Sequence, residues 1–211
     1  MRGIVDASES TTGRFKVTTR IWDRGELISA IVLAAAGIAW FGWAQADPPP
    51  SWVPWLAVGS GVSLVLLIAL VVLLARHRTN AGSAMADSRV RRAYWMTVGV
   101  EVAAILGGNL TLAGVGHPEY DAAWTLFVVG VHFVPLGRIF HAGGLVTLGA
   151  IVAIVALASA CVGLVSDLAP SATAGAGGGI AFVLYAGWVL TRGHVPAHRV
   201  DTPPATPQER P

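Results

Sequence analysis

Five polar side chains in two otherwise apolar stretches carry the chemistry this sequence could perform. Glu101 and Asn109 lie in residues 91–112, and Thr125, His132 and Arg138 lie in residues 121–140 together with Pro135. A carboxylate beside an imidazole is a simple proton-exchanging pair: burial drives both groups towards neutrality, whereas proximity favours the charged pair. Hydrocarbon penalises such groups unless they face one another or a wet cavity. The two stretches are therefore expected to lie side by side.

Counting along each stretch places these groups in matched layers. With Tyr94 and Phe140 taken as the inner boundary, Glu101 is seven residues in and His132 eight, about 10 and 12 Å at 1.5 Å per residue. Asn109 and Thr125 both fall about 22 Å in. Glu101 and Asn109 are separated by roughly 80° in projection, and His132 and Thr125 by roughly 20°. Antiparallel packing thus brings Glu101 to His132 and Asn109 to Thr125 along one seam. Arg138, near the boundary, either snorkels to water or reaches towards the carboxylate. The pair reads as a proton relay or as a hydrogen-bonded lock between helices. Pro135 cannot donate to the carbonyl of Val131 and its ring crowds that turn, so a bend is expected around His132, with protein or water against the freed carbonyl.

The elements that must position these residues are membrane spans. The 211 residues are 54% hydrophobic and 12% charged, with mean hydropathy +0.63, far from the roughly 25% charged residues of soluble domains. Apolar runs at about 27–46, 53–75, 94–114, 122–140, 145–165 and 172–190 predict an all-α, polytopic membrane helical bundle of about six transmembrane helices. All 14 Lys and Arg residues fall in four groups (2–24, 76–92, 138 and 192–210), and the loops between them carry only the acids Asp47, Glu119, Asp121 and Asp167. The basic segments are thereby assigned to the cytoplasm, with both termini inside. Residues 1–24 read as a cytoplasmic tail, 25–192 as the transmembrane domain, and 193–211, rich in proline, as a disordered cytoplasmic tail. Ala44-Gln45-Ala46 resembles a signal-peptidase site, but the polar region before the apolar run is longer than a signal peptide's, and the run reads as an uncleaved span.

Local composition adds detail. Asp47-Pro48-Pro49-Pro50 ends the first span in an extended outer loop. Gly59, Ser60, Gly61 and Ser63 make one half of the second span small enough for a close helix, and its Leu- and Val-rich half is expected to meet lipid. His141-Ala142-Gly143-Gly144 predicts a tight inner turn built on glycine. Gly175, Gly177, Gly178 and Gly179 weaken helix propensity at the start of the sixth span, so it either packs tightly or is irregular.

Several chemistries lack support. The sequence has no nucleophile elbow, H-E-x-x-H, phosphate-binding loop or dinucleotide fingerprint. His117, Glu119 and Asp121 lack the convergent spacing of a metal site, and only His132 sits deep in a span where a bis-histidine haem needs two. Cys161 is the single cysteine, so no intrachain disulfide exists. No cofactor, metal or nucleic acid is expected, and an enzyme has no visible nucleophile or metal set.

Gly130-Val131-His132-Phe133-Val134-Pro135-Leu136-Gly137-Arg138-Ile139-Phe140 resembles a G-x-H-F-x-P-L-x-x-x-F signature of small, multi-span bacterial membrane proteins. The resemblance covers about a dozen residues of the fourth span, and it implies a bacterial inner-membrane location without implying an activity. The sequence thus supports a structural or regulatory inner-membrane protein, with a small-solute or proton-coupled transporter using Glu101 and His132 as the alternative. Its partners are the lipid bilayer and a homo-oligomeric or other membrane partner.

The topology is tested by cysteine accessibility in a Cys161→Ser background. Cysteines at positions 51 and 171 should react with an impermeant reagent from outside and one at position 83 should not; the reverse pattern inverts the assignment.

Overall fold

The computed structural model describes residues 24–76 and 87–192. The expected tails up to residue 23 and from residue 193, and the loop residues 77 to 86, lie outside the described residues. Within them the chain forms α1 (Arg24–Ala44), α2 (Val53–Arg76), α3 (Ser88–Gly114), α4 (Asp121–Ile139), α5 (Gly143–Val165) and α6 (Pro170–Thr191), with one 3-10 turn, Pro118–Tyr120, before α4. No strand occurs among the described residues. All six helices are long and apolar enough to cross a bilayer, which makes this a multi-pass, all-α membrane protein.

Helix ends follow local chemistry. α3 starts six residues before Tyr94, because the Asp87 side chain caps it by accepting from the Arg89 amide at 2.8 Å. It stops at a left-handed Gly116 (φ 84°), where the His117 amide reaches back to the Leu112 carbonyl at 2.8 Å. The same closing motif ends α4, where the Ala142 amide bonds to the Gly137 carbonyl at 2.8 Å. Here the left-handed residue is His141 (φ 53°). The expectation of a turn built on glycine is corrected: Gly143 already opens α5, and histidine tolerates this conformation better than most side chains.

α6 is the hub, touching α1, α2, α4 and α5; the most extensive contacts are α1 with α6 and α4 with α5. Both depend on glycine. A Cβ on Gly175 would stand 2.6 Å from the Ala44 amide nitrogen and the Trp40 carbonyl, and one on Gly130 would stand 2.6 Å from the Ala153 nitrogen. The glycine-rich start of α6 is therefore regular helix held by close packing, with Gly178 and Gly179 against Leu126 and Phe41. One core cluster gathers Trp40, Leu126, Val152 and Phe182, and a second gathers Leu27, Leu70, Ala186 and Val189. Gly59 admits the Phe41 ring, as the small residues of α2 predict. The other half of α2 does expose Val65, Ile68 and Val72, but Leu70 is fully buried where α2 meets α1 and α6.

α3 is the exception. It packs on α4 and the short turn joining them, and not one of its residues is fully buried. The acids Asp47, Glu119, Asp121 and Asp167 belong to the connections at one end of the bundle, and Arg24, Arg76, Arg89, Arg91, Arg92, Arg138 and Arg192 belong to the other. These are called the acidic and basic ends below.

The glycine contacts make a directional prediction. Gly130→Val should destabilise the bundle by about 1–3 kcal/mol through overpacking against backbone that cannot yield, whereas Gly61→Ala, with nothing within 4 Å of its Cβ, should be neutral or stabilising. Reversible unfolding in mixed micelles measures both, and equal effects would contradict the close approach of α4 to α5.

Candidate functional site

The polar residues expected along one seam meet between α3 and α4. The α3–α4 connection is too short for anything but antiparallel neighbours, and this sets Glu101 opposite His132 and Asn109 opposite Thr125. His132 Nδ1 lies 3.4 Å from Glu101 Oε2, and Asn109 Nδ2 donates to Thr125 Oγ1 at 3.3 Å. The layers predicted by counting residues are thus the layers observed.

The inner pair is asymmetric. The His132 side chain is 7% exposed and that of Glu101 18%, so the carboxylate lies at the open edge of the seam. His132 also meets the backbone of Thr97, one turn from Glu101 on α3. Its ring is thereby set between two successive turns of α3. The contact to Glu101 is longer than a well-formed N–H···O bond, and Nδ1 has no hydrogen-bond partner of good geometry. A carboxylate and an imidazole at this separation can share or exchange one proton with a small movement of either side chain.

Three further features of the seam were not picked out from sequence. Trp124 Nε1 donates to the Ala104 carbonyl at 3.0 Å, crossing from α4 to α3 between the two polar layers. Gly108 leaves the space this indole fills: a Cβ there would collide with Trp124 Nε1 and Cε2. Asp121 Oδ1, at the acidic end of the same face of α4, is buried without a partner. The signal for the first two was present in the antiparallel register, which sets Trp124 beside Gly108; an indole N–H inside an apolar layer must find an acceptor. Towards the basic end the seam closes with Tyr94 against Phe140, their ring centroids 6.2 Å apart.

Of the two courses open to Arg138, the structure shows the outward one. Arg138 is exposed in the last turn of α4 and makes no ion pair with Glu101, because it lies six residues nearer the basic end than His132 and snorkels outward. Helix α4 continues through Pro135 to Ile139, and Val131 is 49% exposed. The side of α4 that turns inward carries His132, Leu136 and Gly137.

The other polar features are separate. His117 Nδ1 and Glu119 Oε1 are 2.9 Å apart in an exposed pair on the α3–α4 turn. Asp47 and Asp167 line an open hollow with Pro48, Pro49, Leu168 and Ala169, remote in sequence from the seam. No group of three or more His, Cys, Asp or Glu residues among the described residues could hold a metal ion. No protein-family model matches the chain, and neither the curated proteins nor the solved structures contain a match to it.

Gly108→Ala should displace Trp124 from the Ala104 carbonyl and loosen α3, costing about 1–3 kcal/mol as an overpacking change. Adding Trp124→Phe should recover part of that loss. Hydrogen exchange at the α3 amides provides the readout; unchanged protection in Gly108→Ala would show that the indole does not hold α3.

Proposed function

We propose that this chain is a multi-pass protein of the bacterial inner membrane with a structural or regulatory role, in which the polar pairs of the α3–α4 seam lock α3 to the bundle. The observation that carries this reading is that α3 packs mainly on α4 and fully buries no residue, yet aligns Glu101 and Asn109 with His132 and Thr125. Lipid offers no hydrophobic drive for helix association, so hydrogen bonds and shape must hold such a helix. The segregation of Arg to one end supports placing both termini in the cytoplasm. The match of residues 130–140 to the G-x-H-F-x-P-L-x-x-x-F signature supports the bacterial inner membrane. The partners proposed are the bilayer and a second copy or another membrane protein.

A second reading has its own observation. His132 Nδ1, buried and without a well-formed hydrogen bond beside Glu101, favours a small-solute or proton-coupled transporter that uses the Glu101/His132 pair. A pure lock has no need of an unsatisfied nitrogen. A carrier needs a site that changes protonation.

Glu101→Gln and His132→Gln, singly and together, separate these readings. The lock predicts a coupling of about 0.6 kcal/mol, and at most about 1.7, in a double-mutant cycle of unfolding, with solute uptake into proteoliposomes no greater than in empty vesicles. Zero coupling removes the lock. Uptake driven by a proton gradient in the wild type, and lost in either variant, establishes the carrier.

A further inference from the structure

We propose that the basic end of α6 holds one anionic phospholipid, with its phosphate on Arg192 and its glycerol esters against Trp188 and Tyr185. The inference is independent of the α3–α4 seam and stands whether that seam is a lock or a carrier.

Tyr185, Trp188 and Arg192 follow one another at intervals of three and four residues, so they share one face over the last two turns of α6. The guanidinium carbon of Arg192 lies 3.9 Å from the centroid of the Trp188 ring, and that ring lies 5.4 Å from the ring of Tyr185. Stacking of this kind holds a guanidinium by its face and leaves the N–H groups around its edge to donate. Arg192 forms no ion pair among the described residues. Two aromatic rings thus fix a cation that has no counter-ion in the chain.

Helix α5 starts beside this face without side chains of its own. A Cβ on Gly144 would stand 3.0 Å from the Tyr185 hydroxyl and 3.5 Å from the Trp188 ring, so both ring tips meet over bare backbone, and a Cβ on Gly143 would meet nothing within 4 Å. Trp188 is 40% exposed, and Leu184 and Ile180 below it on α6 are exposed as well. A cation, then two amphipathic rings, then an apolar surface descend this side of α6, in the order in which a phospholipid presents phosphate, glycerol esters and acyl chain. Because α6 crosses the bilayer, its last turn stands where headgroups are always present.

Charge selects among lipids. Among the described residues the basic end carries seven arginines, against the acids Glu26 and Asp87. Asp87 caps α3. Glu26, at the start of α1, is close enough to Tyr185 to act on its hydroxyl, and it has a partner of its own. The excess is positive, so a headgroup whose only charge is its phosphate is favoured over one that brings a cation to be repelled.

Native mass spectrometry of the full chain, released from micelles containing phosphatidylglycerol or phosphatidylcholine with the same acyl chains, tests this. One phosphatidylglycerol should stay bound with a preference of about tenfold or more, the worth of one charge-assisted hydrogen bond. Arg192→Gln and Trp188→Leu should each abolish that preference, and Trp188→Phe, which keeps a ring beneath the guanidinium, should retain it. Arg76→Gln removes an equal charge from the same end and should leave the preference unchanged. Circular dichroism checks folding, and Arg192, exposed beyond the last helical residue, can be replaced without disturbing the bundle. Equal retention of the two lipids overturns the proposal. Equal losses in Arg76→Gln and Arg192→Gln do so too, since the attraction would then be to diffuse charge, as does displacement of the lipid by glycerol phosphate at matching concentration, since the site would then hold a free anion.

Discussion

Hydrocarbon cannot hydrogen-bond, and the arrangement of α3 follows from that single constraint. A helix carrying a carboxyl and an amide within its span must meet partners at the same depths, or leave them unsatisfied at several kcal/mol each. α4 supplies those partners, His132 to Glu101 and Thr125 to Asn109. It adds an indole donor to the Ala104 carbonyl. Since α3 packs on no other helix to a comparable extent, these contacts and the aromatic pair at the basic end fix its rotation and its height. The site and the attachment of the helix are one set of residues.

The rest of the bundle uses another device. Gly130 and Gly149 let α4 and α5 approach until backbone meets backbone, and Gly175 does the same for α6 on α1. Such contacts gain dispersion over a wide area and ask little of any one side chain. Along α3, by contrast, Gly99, Gly107 and Gly114 meet nothing within 4 Å, while Gly108 meets the Trp124 ring. Close packing therefore builds a rigid assembly of α1, α2, α4, α5 and α6, and directional polar contacts attach α3 to it. The two devices differ in chemistry: glycine contacts carry no titrating group, whereas the Glu101–His132 contact joins two of them.

How much of this could be read from the sequence depends on which quantity was being counted. Depth along a helix advances by a fixed rise per residue, so two short counts from the Tyr94 and Phe140 boundary matched Glu101 with His132 and Asn109 with Thr125. Helix number and span limits follow from hydropathy for the same one-dimensional reason. Contacts that depend on side-chain direction were harder. Arg138 was given two destinations and took the outward one, because a long flexible side chain near an interface goes to water whenever it can. The left-handed residue after α4 was expected among Gly143 and Gly144 and is His141, since the closing hydrogen bonds from Ala142 and His141 to Gly137 and Arg138 fix the position of that residue before its identity matters. The Trp124–Gly108 fit needs the register and the rotation of both helices at once, and only the register was in the sequence.

The exposure of Glu101 gives the seam its direction. A carboxyl 18% exposed at the edge of a two-helix contact, beside an imidazole 7% exposed, is the more easily reached member of the pair. His132 is bracketed by Thr97 and Glu101 on α3 and is carried by the most firmly packed part of α4, next to Gly130 in the α4–α5 contact. Their 3.4 Å contact therefore joins α3, the helix with the least burial, to α4, which is itself packed on α5 and α6.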